Sequence, residues 1–375
     1  MWSPDALTES RTLKVAVSTN TPAAPVEGSG VGGSGGRGVG GVTGVTPPSV
    51  LDSGKFRIVS LGVNMSFWSN SSSYVVLSMY SDSGPLRWLY FVVLACFYAL
   101  ALVCNLLLLF VILVDRSLRQ PMYVFLVSLF LNDVLGSTGI FPFLLSELLR
   151  DEHVLSHSLC FLQIFLVYQY ANTAVLTLAA MSYDRFVAIC FPLQYHTRLS
   201  PRAALRMVTG IWAFVVLEVG FMVSLSAPLR LCGTHVSKVY CDNYSVVKLA
   251  CGDTTLNNVY GLLYTCLMLL SVPALILYSY VRIIRVCVSS SSARRKALGT
   301  CAPHLASFLN LAFGCFFEVV QSRFNMEAVS DTVRVFMSLY FLVCTPIFNP
   351  LIYGLNLSTV RSSCRRLLQR RQRSR

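Results

Sequence analysis

Charge is scarce in this sequence. Only 13% of its 375 residues are charged, 17 of them acidic, while 54% are apolar. Soluble domains carry about 25% charged residues, so a chain this greasy does not make two or three of them. Catalytic signatures are missing as well. There is no HExxH, GxSxG or P-loop, and the glycine run Gly28–Val45 lacks the strand before it and the helix after it that a phosphate cradle needs. No enzyme, metal or cofactor is therefore expected. The first thirty residues lack an apolar core of the kind that marks a cleavable signal peptide, so the first apolar span would act as its own insertion signal. Matched Gly- and Pro-broken segments in two halves, the mark of many transporters, are lacking too.

What is present is a series of long apolar stretches. A membrane helix needs about 20 mainly apolar residues, and candidates lie at 88–114, 121–147, 160–191, 203–227, 256–286, 304–322 and 331–354. The expected fold is all-α: a seven-transmembrane helix bundle over 88–354. The net charge of +13 could suggest nucleic acid, yet the basic residues are spread over separate loops instead of forming one face. Arg116 and Arg119 follow the first span, Arg198, Arg202 and Arg206 the third, Arg282, Arg285, Arg294, Arg295 and Lys296 the fifth, and an arginine-rich tail the seventh. The loops between mix both signs. The positive-inside rule puts the amino terminus outside and the tail, 355–375, in the cytoplasm. Within that tail, Ser358 to Arg371 reads as a short amphipathic helix on anionic lipid.

Residues 1–87 precede the bundle, and their glycine-rich run cannot bury a core, which predicts disorder. Met65 is a second candidate start, with 1–64 an upstream extension. Outer sequons stand at Asn64, Asn70 and Asn243. Of thirteen cysteines, four fall in outer segments: Cys160, Cys232, Cys241 and Cys251. They permit three pairings as two disulfides, which sequence alone does not rank.

Asn105, Asp133 and Asn349 each interrupt an apolar span. A carboxylate at mid-membrane costs about 2.5–3.5 kcal/mol on insertion scales, so these side chains face inward. Asp184 and Arg185 form an ionisable pair at the inner end of the third span. The wording around that pair, MSYDRFVAICFPLQYHT, resembles the odorant-receptor branch of the rhodopsin-like G-protein-coupled receptors. So do Asn349-Pro350-Leu351-Ile352-Tyr353, SLFLND around Asp133, and KALGTCAPHL at the start of the sixth span. Phe186 replaces the usual tyrosine, Cys104 the glycine before Asn105, and Gly299 and Pro303 depart from the sixth-span signature. NLAFGCFFEVVQSRF is closer to some fish odorant receptors than to most mammalian ones.

The resemblance implies several further expectations. LCGTHVSKVYCDNYSVVKLACGDT resembles the long second outer loop of odorant receptors and implies the pairs Cys160–Cys241 and Cys232–Cys251. Arg185 would be held by Asp184 in one packing and released in another, with Tyr280 and Tyr353 bonding across the opened gap. A small-molecule odorant would bind inside the bundle, and a heterotrimeric G protein of the cyclase-stimulating type would bind the inner face. The expected location is the plasma membrane, in lipid contact. Counting inward from Cys160 along the third span reaches Tyr168, Ala171 and Asn172. Asn258, Tyr264, Phe313, Phe317 and Tyr340 could face them, and Glu318 could select a cationic odorant. The rival readings are a receptor for an amine or peptide and, from another class, a channel or transporter.

Overall fold

The computed structural model describes residues 74–80, 84–287, 291–324, 326, 328–356 and 358–373. Most of the extension expected to be disordered, with Met65 and the sequons at Asn64 and Asn70, lies outside the described residues, but its last part is ordered, with a strand at Tyr74–Leu77. The helices are α1 (Arg87–Val114), α2 (Pro121–Leu148), α3 (His157–Cys190), α4 (Tyr195–Arg198), α5 (Pro201–Ser226), α6 (Asn243–Val247), α7 (Thr255–Cys287), α8 (Ser291–Arg323), α9 (Asp331–Asn356) and α10 (Ser358–Arg373). Seven of these are long and apolar enough to cross a membrane: α1, α2, α3, α5, α7, α9 and the Cys301–Arg323 part of α8. Their ends follow local chemistry. Ser200 Oγ accepts the Ala203 amide at 3.2 Å just ahead of Pro201, whose missing N–H costs nothing at a first turn. Ser156 caps α3 in the same way.

Burial explains why the bundle needs lipid. Val103, Leu106, Phe110, Leu217, Leu263, Leu270 and Leu277 are all more than half exposed, a surface that would aggregate in water and is ordinary against acyl chains. Inward-facing residues form two apolar clusters. One gathers Leu126, Leu129, Phe130, Leu178, Ile276 and Leu311 toward the end that carries α10, the side expected to be inner, the other Ile140, Phe141, Ile164, Val167, Tyr170 and Val219 toward the opposite end, expected to be outer. Asp133 lies on α2 between Phe130 and Ile140, at the seam of the two.

The outer loops add strands to the expected all-helical plan. β1 (Tyr74–Leu77) is the centre of a three-stranded sheet, antiparallel to β2 (Val154–Ser156) and parallel to β3 (His235–Val236). Val75, Leu77, Leu155 and Val236 point into the outer cluster and are buried. The β1 segment is tied down further by side chains, for Ser78 Oγ donates to Val236 O at 3.2 Å and Tyr80 Oη to Val239 O at 2.7 Å.

On the inner side, α10 follows α9 and packs Val360 and Ser363 against the bundle. Arg366 Nη2 reaches Asp115 Oδ2 at 2.8 Å and Ser117 Oγ at 3.3 Å in the first inner turn. Hydrogen bonds from Ser363, Ser117 and Arg366 hold the Asp115 carboxyl well below the usual carboxylate range. Leu367 and Leu368, on which the amphipathic reading leans, have side chains outside the described ones.

Candidate functional site

Asn105, Asp133 and Asn349 come from α1, α2 and α9 and are fully buried. Backbone chemistry brings the first to its place. Pro350 has no N–H, so the carbonyl four residues before it, on Pro346, loses its helical partner. Asn105 Nδ2 supplies the missing donor at 2.6 Å, and also donates to Ala101 O at 2.8 Å. Next to it, Asn349 Nδ2 donates to Asp133 Oδ2 at 2.9 Å and Ser307 Oγ donates to Asn349 Oδ1. Tyr170 Oη donates to the other carboxylate oxygen of Asp133 at 3.3 Å. Tyr170 gets this close because Gly136 has no side chain: a Cβ there would stand 2.7 Å from Tyr170 Cγ.

At the inner end, Asp184 is fully buried and engaged on both oxygens. Arg185 Nε donates to Oδ2 at 2.8 Å, Arg185 Nη2 donates to the same atom, and Tyr195 Oη donates to Oδ1 at 2.7 Å. Burial and the adjacent Asp184 raise the pKa of Tyr195, which keeps it a donor at neutral pH. Phe186 makes ring contacts only, with Phe191 and Tyr278. Tyr280 is paired with His304, not Tyr353. His304 Nε2 faces Leu178 O at 2.8 Å, which fixes Nε2 as the protonated nitrogen and leaves Nδ1 to accept from Tyr280 Oη. Tyr353 Oη is buried beside Ser307 without a well-formed hydrogen bond. The packing is thus the one in which Arg185 is held.

The outer side is closed by the loop between α5 and α7. Cys160 is bonded to Cys241, with Cα atoms 5.4 Å apart, and Cys232 to Cys251, 5.2 Å apart, the pairs that the resemblance implies. Gln163 Oε1 accepts the Cys241 amide at 2.8 Å, fixing the loop over α3. Lys238 is buried at 3% side-chain exposure between two acids. It lies 3.0 Å from Asp242 Oδ2, donates to Glu318 Oε1 and donates to Ser322 Oγ at 2.7 Å. Burial alone would lower the lysine pKa, but Asp242 and Glu318 outweigh it and raise it. Burial likewise opposes ionisation of Asp242, and Lys238 and Ser245 overcome it and lower its pKa. Glu318 is therefore already paired with a loop cation instead of offering a vacant anionic seat.

Beneath the loop lies a cavity of about 30 Å³ lined by residues such as Tyr168, Asn258, Tyr260, Tyr264, Thr265 and Arg323. That holds about two waters, so a ligand must displace side chains to enter. Among the sequence-derived candidates, Tyr168, Asn258 and Tyr264 line it. Asn172 instead donates to Glu218 at 3.4 Å, and Ala171 packs against the outer apolar cluster. Phe313, Phe317 and Tyr340 form a separate aromatic group between α8 and α9, with Tyr340 Oη on Asn310 Oδ1 at 2.9 Å. Asn243, which carries one of the outer sequons, is 8% exposed and lines the cavity.

Across residues 94–371 the chain matches the family model described as olfactory receptor. The chain belongs to the olfactory receptor family. Similar relatives include human (Homo sapiens) olfactory receptor 11A1, 34% identical over 79% of this chain and 94% of that protein. Human olfactory receptor 10C1 is 34% identical over 78% and 93%, and mouse (Mus musculus) olfactory receptor 1E16 is 35% identical over 74% and 90%. This olfactory receptor is accordingly a multi-pass membrane protein and a receptor, not an enzyme, and odorant detection is its function. The amine- or peptide-receptor and channel alternatives are not favoured by these relatives.

Sequence reasoning missed four residues that the receptor uses. Tyr170 and Ser307 complete the Asp133–Asn349 network, Lys238 neutralises Glu318, and Glu218 stands in the fourth span. Glu218 carried the same signal as Asp133, an acid inside an apolar run. Lys238 carried none, because a lysine in an outer loop reads as solvated.

Proposed function

We propose that this olfactory receptor binds a small-molecule odorant inside the helix bundle and activates an intracellular heterotrimeric G protein of the stimulatory type, raising cyclic AMP. The observation that carries the reading is the buried Asp184–Arg185–Tyr195 arrangement at the inner end of α3. An arginine held by its neighbouring acid is one half of a two-state element, since the same guanidinium, once released, offers five donors to a partner's carbonyls. Phe186, Tyr280, Asn349, Pro350 and Tyr353 belong to this switch, and Asn105 and Asp133 to the polar layer that couples it to the outer half. Ligand binding shifts the balance only by as much as it favours the released packing. Tyr168, Asn258 and Tyr264, which line the cavity, are the ligand contacts of this reading. Ala171, Asn172, Phe313, Phe317, Glu318 and Tyr340 surround them and come within reach when the cavity expands.

The layout that goes with this reading has residues 1–87 outside the cell, 88–354 in the plasma membrane and 355–375 in the cytoplasm. The distribution of arginine over alternate loops and the cystines on the opposite side support it. Lipid is a partner along the bundle and under α10; nucleic acid is not. The test is a cyclic-AMP reporter in cells expressing the chain, screened with amines, amino acids, aldehydes and steroids. A ligand response abolished by Arg185→Ala at unchanged surface expression is expected, and a response that survives the substitution overturns the switch.

A further inference from the structure

The acid that the sequence offered for cation recognition, Glu318, is occupied by Lys238. Another is not. Glu218 lies in α5, eight residues from its outer end, half-buried, with no ion pair among the described residues. It is surrounded by neutral donors. Tyr260 Oη donates to Oε1 at 3.2 Å and Asn172 Nδ2 to Oε2 at 3.4 Å, while the Tyr264 hydroxyl lies nearby without a well-formed hydrogen bond. A carboxylate in an apolar span without a counter-cation is costly, and a ligand cation beside it would offset that cost.

The same two tyrosines line the cavity under the outer loop. The Tyr260 hydroxyl, which gives its proton to the carboxylate, keeps two lone pairs free and becomes a better acceptor, so the negative charge is felt on the cavity side. The Tyr260 and Tyr264 rings stack with centroids 6.3 Å apart, and Phe221 meets Tyr260 edge-on, adding π faces that favour a cation. At the outer mouth the charge reverses. Arg323 lies over Gly261, where a Cβ would be 3.5 Å from Nη2, and its guanidinium sits 3.9 Å from the centre of the Tyr244 ring. Lys248 Nζ approaches that ring from 4.5 Å and donates to Ser322 O at 3.0 Å. Gly261 lies between Tyr260 and Tyr264 on α7, so the arginine and both tyrosines sit within about one helical turn of each other.

We propose that Glu218, through the Tyr260 and Tyr264 hydroxyls, seats the ammonium group of a small amine ligand in this cavity, and that Arg323 receives an acceptor group at the ligand's other end. The inference rests on the reading that the odorant binds inside the bundle, and it assigns that odorant a chemical class.

Four probes on one carbon frame test it: γ-aminobutyrate, butylamine, butyrate and butanol. Dissociation constants come from thermal-shift titrations of the purified full-length receptor in detergent, with the cyclic-AMP reporter run in parallel. Both amines are expected to bind, γ-aminobutyrate the tighter, and the amine-free probes on the order of tenfold or more weaker. Glu218→Gln keeps the shape and removes the charge, and is expected to weaken both amines by a similar factor. Arg323→Gln is expected to weaken γ-aminobutyrate alone. If Glu218→Gln lowers the unfolding temperature of the unliganded protein, Tyr264→Phe takes its place, with a smaller loss expected for both amines. Butyrate or butanol binding as tightly as the amines, no stabilisation by either amine, or amine binding untouched by these substitutions overturns the proposal. Stabilisation by amines with a flat reporter supports the seat and faults the G-protein reading instead.

Discussion

Replacing Lys238 by methionine keeps the stem and deletes the cation between Asp242 and Glu318. The lysine and Asp242 are each 3% exposed and Glu318 16%, so water can do little for the two acids left facing each other. Removing one partner of a buried pair costs about 3–5 kcal/mol. The partial exposure of Glu318 and its ability to take up a proton place the loss near the lower figure, about 3 kcal/mol. The assay is thermal unfolding of the purified receptor, with Lys238→Met, Glu318→Gln and the double variant forming a cycle. Glu318→Gln in the Lys238→Met background should recover a good part of the loss, because the uncompensated charge goes with it. Lys238→Met within about 0.5 kcal/mol of the parent, or strictly additive effects, refutes the reasoning. The pH dependence follows from the same pair. Asp242 has a folded pKa below 3.8, so its contribution is complete above that value and is lost only as pH falls through the lower one. Lys238 has a folded pKa above 10.5, so its contribution is complete below that value and is lost as pH rises through the higher one. The contribution of these two groups to stability should therefore be flat across the whole interval between.

Three further outcomes can be checked. Serine at Cys160 and Cys241 should cost more stability than serine at Cys232 and Cys251, about 4.5 against about 3 kcal/mol by loop entropy, because the sequence separations are 81 and 19; equal losses in unfolding scans would contradict this. Gly136→Ala should destabilise by about 1–3 kcal/mol, since its Cβ meets the Tyr170 ring, and the loss should shrink in the Gly136→Ala/Tyr170→Ala double variant. Asp184→Asn keeps a Tyr195 contact but releases Arg185 from its charge, so basal cyclic AMP should rise without ligand; an unchanged baseline at equal surface level counts against the switch.

The spans were legible because about 20 apolar residues in a row have one physical meaning, and the helices match the expected stretches to within about three residues at each end, except that α8 begins thirteen residues before its expected span. Inward-facing Asn105, Asp133 and Asn349 were legible for the same reason, as polar atoms that lipid cannot satisfy. Which partner satisfies each was not. Asn105 serves the Pro346 carbonyl because of a proline four residues further on, a link across two helices that no single stretch displays. The cavity divides the expected ligand contacts because turns counted along one helix give depth but not facing. The outer sheet was hidden by brevity: strands of four, three and two residues leave no alternating pattern to read.

The strand order has a consequence for biosynthesis. β1 is the middle strand and β2 and β3 do not pair with each other, so neither can join the other in one sheet until β1 is in place. Ser78 meets Val236 across 158 positions of sequence. At ribosomal rates of roughly 5–20 residues per second, the arm emerges and then waits on the order of ten to thirty seconds for its second partner. For that interval Val75 and Leu77 have no complete burial, and a chaperone that recognises short apolar extended segments has its target there.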